Sequence, residues 1–180
     1  MKRKAIIISV KGYKLTLQEK KLIKKELPWG LILFKRNIKN LNQLKSLVKD
    51  IKRSANHPNF PIMIDEEGGA VTRLSKIIRQ NVTQKYFGDL YSIDNKIGKL
   101  VYNNYIDKIS LILKEIGINI NTVPVLDVLR KNTNKIIGNR SFSKNPRVVK
   151  KLGQICVNQY QKNSIITVIK HIPGHGCATL

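Results

Sequence analysis

Five short apolar runs, each separated from the next by a stretch of helical periodicity, constrain this chain more than any other feature. They are Ala5-Ile6-Ile7-Ile8-Ser9-Val10, Gly30-Leu31-Ile32-Leu33-Phe34, Pro61-Ile62-Met63-Ile64-Asp65, a segment within Ile118 to Val128, and Ile165-Ile166-Thr167-Val168-Ile169. None alternates apolar with polar residues, so each reads as a buried strand. Parallel neighbours need a crossover between them, usually a helix. Buried strands that alternate with helices therefore predict an α/β fold with a parallel sheet.

The intervening segments supply those helices. Thr16-Leu17-Gln18-Glu19 is a capping-box pattern opening a helix to about Leu27, where Pro28 and Gly30 break it. Asn40 caps a second helix whose apolar positions Leu41, Leu44, Leu47, Val48 and Ile51 keep the 3.6-residue period. From about Ser92 to Ile116 the spacing predicts one long helix, with Gly117 as its C-cap. Asn145-Pro146 opens another through Val149, Leu152, Cys156 and Tyr160. Residues 75–91 are the least structured by pattern. Five β/α units in 180 residues fit either a complete doubly wound sheet or the first five units of a (β/α)8 barrel. A dinucleotide-binding reading is weakened because Lys11-Gly12-Tyr13-Lys14, after the first strand, offers a single glycine.

Composition excludes other classes. With 42% hydrophobic and 25% charged residues the chain is globular and not disordered. Its 34 Lys+Arg against 11 Asp+Glu give +23. The lysines are scattered over every segment, so they read as a solvated surface with non-specific attraction for anions, not as a specific nucleic-acid site. Two cysteines, Cys156 and Cys177, are too few for a disulfide framework. Met1-Lys2-Arg3-Lys4 looks like the start of a signal peptide, but the six residues Ala5 to Val10 are short of the ~7–15 that an apolar core requires. Nothing approaches the ~20 apolar residues of a membrane span. The expectation is a soluble, cytoplasmic protein.

Chemistry-bearing residues fall at or just beyond strand ends, where α/β barrels place their active sites. They are Asp65 with Glu66 and Glu67, Arg73 further along the same loop, Asp127, Arg140, and Lys170 with His171. Carboxylates accept paired hydroxyls, and Arg and Lys donate to oxygens, so the set suits a hydroxyl-rich ligand. For Asp127 a capping role is as well supported as a functional one. His171 and His175 stand four apart, but Pro173-Gly174 between them opposes the helix that would aim both imidazoles at one metal. No G-x-S-x-G elbow is present.

Gly30-Leu-Ile-Leu-Phe34 with Arg36-Asn37, Ile64-Asp65-Glu66-Glu67-Gly68-Gly69 with Arg73, Pro124-Val125-Leu126-Asp127, Ile137-Gly138-Asn139-Arg140-Ser141-Phe142 and Lys170-His171-Ile172-Pro173-Gly174-His175-Gly176 occur in an order that resembles glycoside hydrolase family 3. The similarity is greatest to its bacterial β-N-acetylhexosaminidase branch, enzymes of cell-wall recycling, and it runs nearly end to end. The resemblance implies a (β/α)8 TIM barrel of which about the first five β/α units are present, so that residues 1–180 are a single N-terminal barrel domain cut short. It also implies retaining hydrolysis of terminal N-acetylglucosamine, in which a carboxylate attacks the anomeric carbon and water releases the glycosyl-enzyme. Asp65, Arg73, Arg140, Lys170 and His171 would bind the sugar. The His-Asp pair that handles the proton, and the nucleophilic Asp, are expected after Leu180, so no catalytic residue is expected within the chain. No cofactor or metal is implied; the partner is an N-acetylglucosamine-containing glycan or cell-wall fragment, and the full-length enzyme would be a monomer. Ala70 and Glu66 depart from the family's usual Arg and Gln. Alternative readings are a carbohydrate-binding relic without catalysis, and a binder of anionic polymers resting on the +23 alone.

Overall fold

A computed structural model describes residues 3–131 and 133–176, so Cys177 and Leu180 lie outside the described residues. Five strands, β1 (Lys4–Ile8), β2 (Pro28–Leu33), β3 (Ile62–Ile64), β4 (Ile120–Asn121) and β5 (Ile166–Thr167), form one sheet in the order β1-β2-β3-β4-β5, every pairing parallel. A doubly wound sheet reverses its strand order at a switch point, whereas a barrel adds each strand beside the one before. The sequential order decides between the two architectures: the sheet is part of a barrel.

Five helices connect the strands: α1 (Leu17–Glu26), α2 (Leu41–Ser54), α3 (Gln84–Ile93), α4 (Asn95–Ile116) and α5 (Pro146–Lys162). The expected caps form. Thr16 and Glu19 close a reciprocal capping box, Asn40 accepts from the Gln43 N–H, and Asn145 caps α5 with Pro146 in its first turn. Gly117, at φ 92°, ends α4 in the left-handed region that glycine enters without strain. The helices pack neighbour on neighbour, α1 on α2, α2 on α4 and α4 on α5, with α3 against α4 and α5. Their apolar faces, including Ile23, Leu44, Ile51, Ile109, Leu113, Leu152 and Cys156, join Leu31, Leu33, Ile62 and Ile64 of the sheet in one core. Gly30 is required for close approach, since a Cβ there would lie 2.9 Å from the carbonyl oxygen of Pro61.

The structure departs from the sequence reading in three places. The helix expected over Ser92–Ile116 is two helices. Asp94 leaves helical backbone and turns its side chain onto the N–H groups of Lys96 and Ile97, capping α4, while α3 extends back through the segment that looked unstructured. Strand four is two residues long and resumes only as a bridge between Val125 and Lys170. The outer strands are not buried: Ile6 is 50% and Ile166 57% exposed. Among the described residues β1 and β5 each have one neighbouring strand, so an apolar run that would be covered inside a sheet is open here.

Candidate functional site

The C-terminal ends of the strands gather a cluster of ions. Asp65 directly follows β3, with Glu66 and Glu67 after it, and Thr122 follows β4. Asn121, the last residue of β4, is fully buried and clamps Glu66 from both sides: its Oδ1 accepts from the Glu66 N–H at 3.0 Å, and its Nδ2 donates to the Glu66 carbonyl at 3.0 Å. The start of the acidic loop is thereby pinned to the neighbouring strand. Four of the chain's 11 acidic residues, Asp65, Glu66, Glu67 and Asp127, lie here.

Asp65 receives Arg73 Nη2 at 3.0 Å, Lys170 Nζ at 3.1 Å, and the Thr122 hydroxyl. Burial alone would raise its pKa. The Thr122 hydrogen bond, the Lys170 charge and the Arg73 hydrogen bond outweigh that and lower it to about 2. The carboxylate is therefore ionised at any physiological pH and acts as an acceptor, not as a proton donor. Glu67, 3% exposed, takes Arg140 in a two-pronged pair at 2.8 and 3.0 Å and Lys170 at 2.7 Å. Lys170 Nζ thus has three oxygens around it, on Asp65, Glu67 and Thr122. Its three N–H donors match them one for one.

Glu66 has a different task. Its carboxylate is buried and accepts from the Thr72 hydroxyl at 2.6 Å, the Arg73 and Leu74 N–H groups at 2.8 and 3.0 Å, and Gln80 Nε2 at 2.9 Å. It ties down the loop that carries Arg73 back to Asp65. Gly68, at φ 93°, makes the turn, and a Cβ there would meet the Val82 carbonyl oxygen at 2.3 Å.

Asp127 organises the last segment. It accepts from His171 Nδ1 at 2.6 Å and from the N–H groups of His175 and Gly176. Burial pushes its pKa up, and the His171 hydrogen bond with the two backbone donors brings it below the ordinary value. His171 Nε2 lies 3.5 Å from Arg140 Nη2. The His171 and His175 rings meet edge to face with centroids 4.6 Å apart. No group of three or more His, Cys, Asp or Glu that could hold a metal occurs among the described residues. A cavity of about 190 Å³ opens here, lined by Asp127, Arg130, His171, Pro173, Gly174 and Gly176 among others.

All five residues expected to bind sugar, Asp65, Arg73, Arg140, Lys170 and His171, meet in this one cluster. The sequence reading missed Thr122 and Asn121, which are ordinary polar residues until β4 places them beside Asp65. Glu67, named there among the strand-end acids, is instead taken up as the buried partner of Arg140 and Lys170.

The description "Glycosyl hydrolase family 3 N terminal domain" matches residues 4–180. The chain belongs to glycosyl hydrolase family 3. Within this family the chain is 30% identical over 175 residues to the "Beta-hexosaminidase" of Neisseria meningitidis serogroup B, covering 97% of this chain and 48% of that protein. It is 35% identical over 153 residues to "Beta-hexosaminidase A" of Pseudoalteromonas piscicida, covering 82% of this chain and 25% of that one. Its fold superposes with TM-score 0.89 on NagZ from Neisseria gonorrhoeae, solved in complex with N-trifluoroacetyl-D-glucosamine, at 29% identity over 98% of this chain and 53% of that one. The chain thus spans about half or less of the length of the family 3 relatives it matches.

Proposed function

We propose that the chain is the N-terminal, sugar-binding part of a family 3 β-N-acetylhexosaminidase that releases terminal β-linked N-acetylglucosamine with retention. Residues 1–180 form one partial barrel domain in this reading. The observation that carries it is the Asp65 carboxylate, held ionised between Arg73 and Lys170 at the strand ends. A fixed carboxylate accepts hydroxyl donors; Lys170 and Arg73 orient it, and the guanidinium N–H groups of Arg73 and Arg140 not spent on Asp65 and Glu67 donate to sugar oxygens. Arg140 and His171 complete the pocket. Asp65, with two cations and a hydroxyl on it, is a poor nucleophile and a poor acid. Asp127 is taken up by His171 and two backbone donors. The resemblance to family 3 assigns the acid/base, a His paired with an Asp, and the nucleophilic Asp of the retaining mechanism to residues after Leu180. Family relatives named beta-hexosaminidase, and one solved with an N-acylglucosamine, support the substrate class. A cell-wall fragment handled in the cytoplasm by a monomeric enzyme fits the same reading.

The test is titration of the 180-residue chain with N-acetylglucosamine, followed by calorimetry or NMR. Saturable binding is expected, lost in Asp65→Ala while the far-UV spectrum is retained. Equal binding by wild type and Asp65→Ala would overturn the assignment, as would no binding by folded wild type.

A further inference from the structure

We infer that Asp127 is a positioning residue that fixes His171 as the Nδ1–H tautomer, so that His171 meets the sugar as a hydrogen-bond acceptor through Nε2. The inference rests on the sugar-binding reading of the cluster and adds to it the polarity of one contact. It follows from what each ring nitrogen faces. Nδ1 is 2.6 Å from an Asp127 carboxylate oxygen, and an ionised carboxylate can only accept. Nδ1 must therefore carry a proton. Nε2 is 3.5 Å from Arg140 Nη2, and a guanidinium can only donate. Nε2 must therefore present its lone pair. Tautomers are assigned from such networks, and here both partners give the same answer.

The protein has built Asp127 for that task. Its side chain is fully buried, and the oxygen not used by His171 takes the His175 and Gly176 N–H groups. One carboxylate thus sets both the ring's proton and the course of the segment after it. Gly174 and Gly176 let that segment approach closely: a Cβ on Gly174 would lie 3.2 Å from Asp127 Oδ1, and one on Gly176 would lie 2.4 Å from the Val128 carbonyl oxygen. The pocket consequently holds unlike groups. Arg73, Arg140 and Lys170 are donors, whereas Asp65 and His171 Nε2 are acceptors. A sugar hydroxyl at His171 must donate, in place of the long 3.5 Å Arg140 contact, and a carbonyl, ether or fluorine at the same point is rejected because its lone pairs would face that of Nε2.

The experiment reads the ring directly. Long-range ¹H–¹⁵N correlation of the ligand-free wild-type chain should find His171 protonated at Nδ1 and bare at Nε2; the opposite pattern overturns the inference. In Asp127→Asn the amide oxygen retains the two backbone donors and the amide nitrogen faces Nδ1, so the proton should move to Nε2. A merely structural Asp127 would leave the tautomer where it was, and that result also overturns the inference. If Asp127→Asn does not fold, the wild-type spectrum alone decides. The sugar arm uses N-acetylglucosamine with single hydroxyls replaced by hydrogen or fluorine. At one position both replacements should weaken binding about tenfold or more, and His171→Ala should erase the difference. Persistence of the difference in His171→Ala overturns the acceptor role. Should the wild-type chain bind no sugar, the proposed function fails while the ring's proton still tests Asp127.

Discussion

Asp65 ties the stability of the fold to pH. Its folded pKa of about 2 lies below the ordinary 3.8, so the native state holds the proton less tightly than the unfolded chain does. The resulting stability is complete above about pH 4 and is lost as pH falls toward 2; a shift of this size corresponds to about 2 kcal/mol. Urea titrations at pH 5 and pH 2.5 should show that loss in wild type and a smaller one in Asp65→Asn. Glu66 gives a second prediction. Glu66→Ala strands two backbone N–H groups, a hydroxyl and an amide, and should cost about 3 kcal/mol or more. Glu66→Gln keeps one acceptor oxygen and should fall between the two, read as an ordered series of Tm values. Residues whose role depends on charge type at a strand end are legible in the sequence: Asp65, Arg73, Arg140, Lys170 and His171 all reach the cluster. Those whose role depends on register are not. Asn121 and Thr122 acquire meaning only when β4 lies beside β3, and nothing local distinguishes them from loop polar residues.

The helices show the same division one level up. Capping chemistry is local, so Thr16, Asn40, Asn145 and Gly117 mark their termini correctly. The break at Asp94 is hidden because α3 and α4 meet with one residue between them, and the apolar spacing continues across the joint. What separates them is a cap and a close crossing: a Cβ on Gly98 would sit 2.5 Å from Tyr91 Cα. Asp94→Ala should therefore lower stability by about 1 kcal/mol as a lost N-cap. Gly88→Ala should do more, about 2 kcal/mol or above, since its Cβ would fall 1.7 Å from the Phe142 carbonyl oxygen and overpack α3 against that loop. Thermal melts of the two variants should rank them in that order.

At the scale of the whole molecule, the sheet is covered in the middle and bare at its sides. Ile6 and Ile7 on β1, Ile166 on β5 and Val168 and Ile169 just beyond it are exposed, and an apolar groove of about 450 Å³ runs beside β5 between Pro124, Leu126, Val149, Val157 and Ile169. Open strand edges with apolar side chains favour association between chains. Residues 1–180 expressed alone should self-associate with rising concentration in light scattering, and a sharp, cooperative melt of a lasting monomer would contradict this. Hydrogen exchange should be slow across β2, β3 and β4 and fast at the outward amides of β1 and β5. The parallel α/β plan is readable because buried runs carry their own signal, whereas the choice of a barrel over a doubly wound sheet comes from the family resemblance and is decided by the strand order. The bareness of the outer runs is not readable in the runs themselves, because an apolar run states what a strand prefers to touch and not whether a neighbour is there; it follows only from the expectation of a barrel cut short after five units. The order of the strands also bears on how the chain is made. Since each strand pairs with the one synthesised just before it, every unit leaving the ribosome finds its docking surface already waiting. Assembly can proceed from the first unit onward, with no strand threaded between two others.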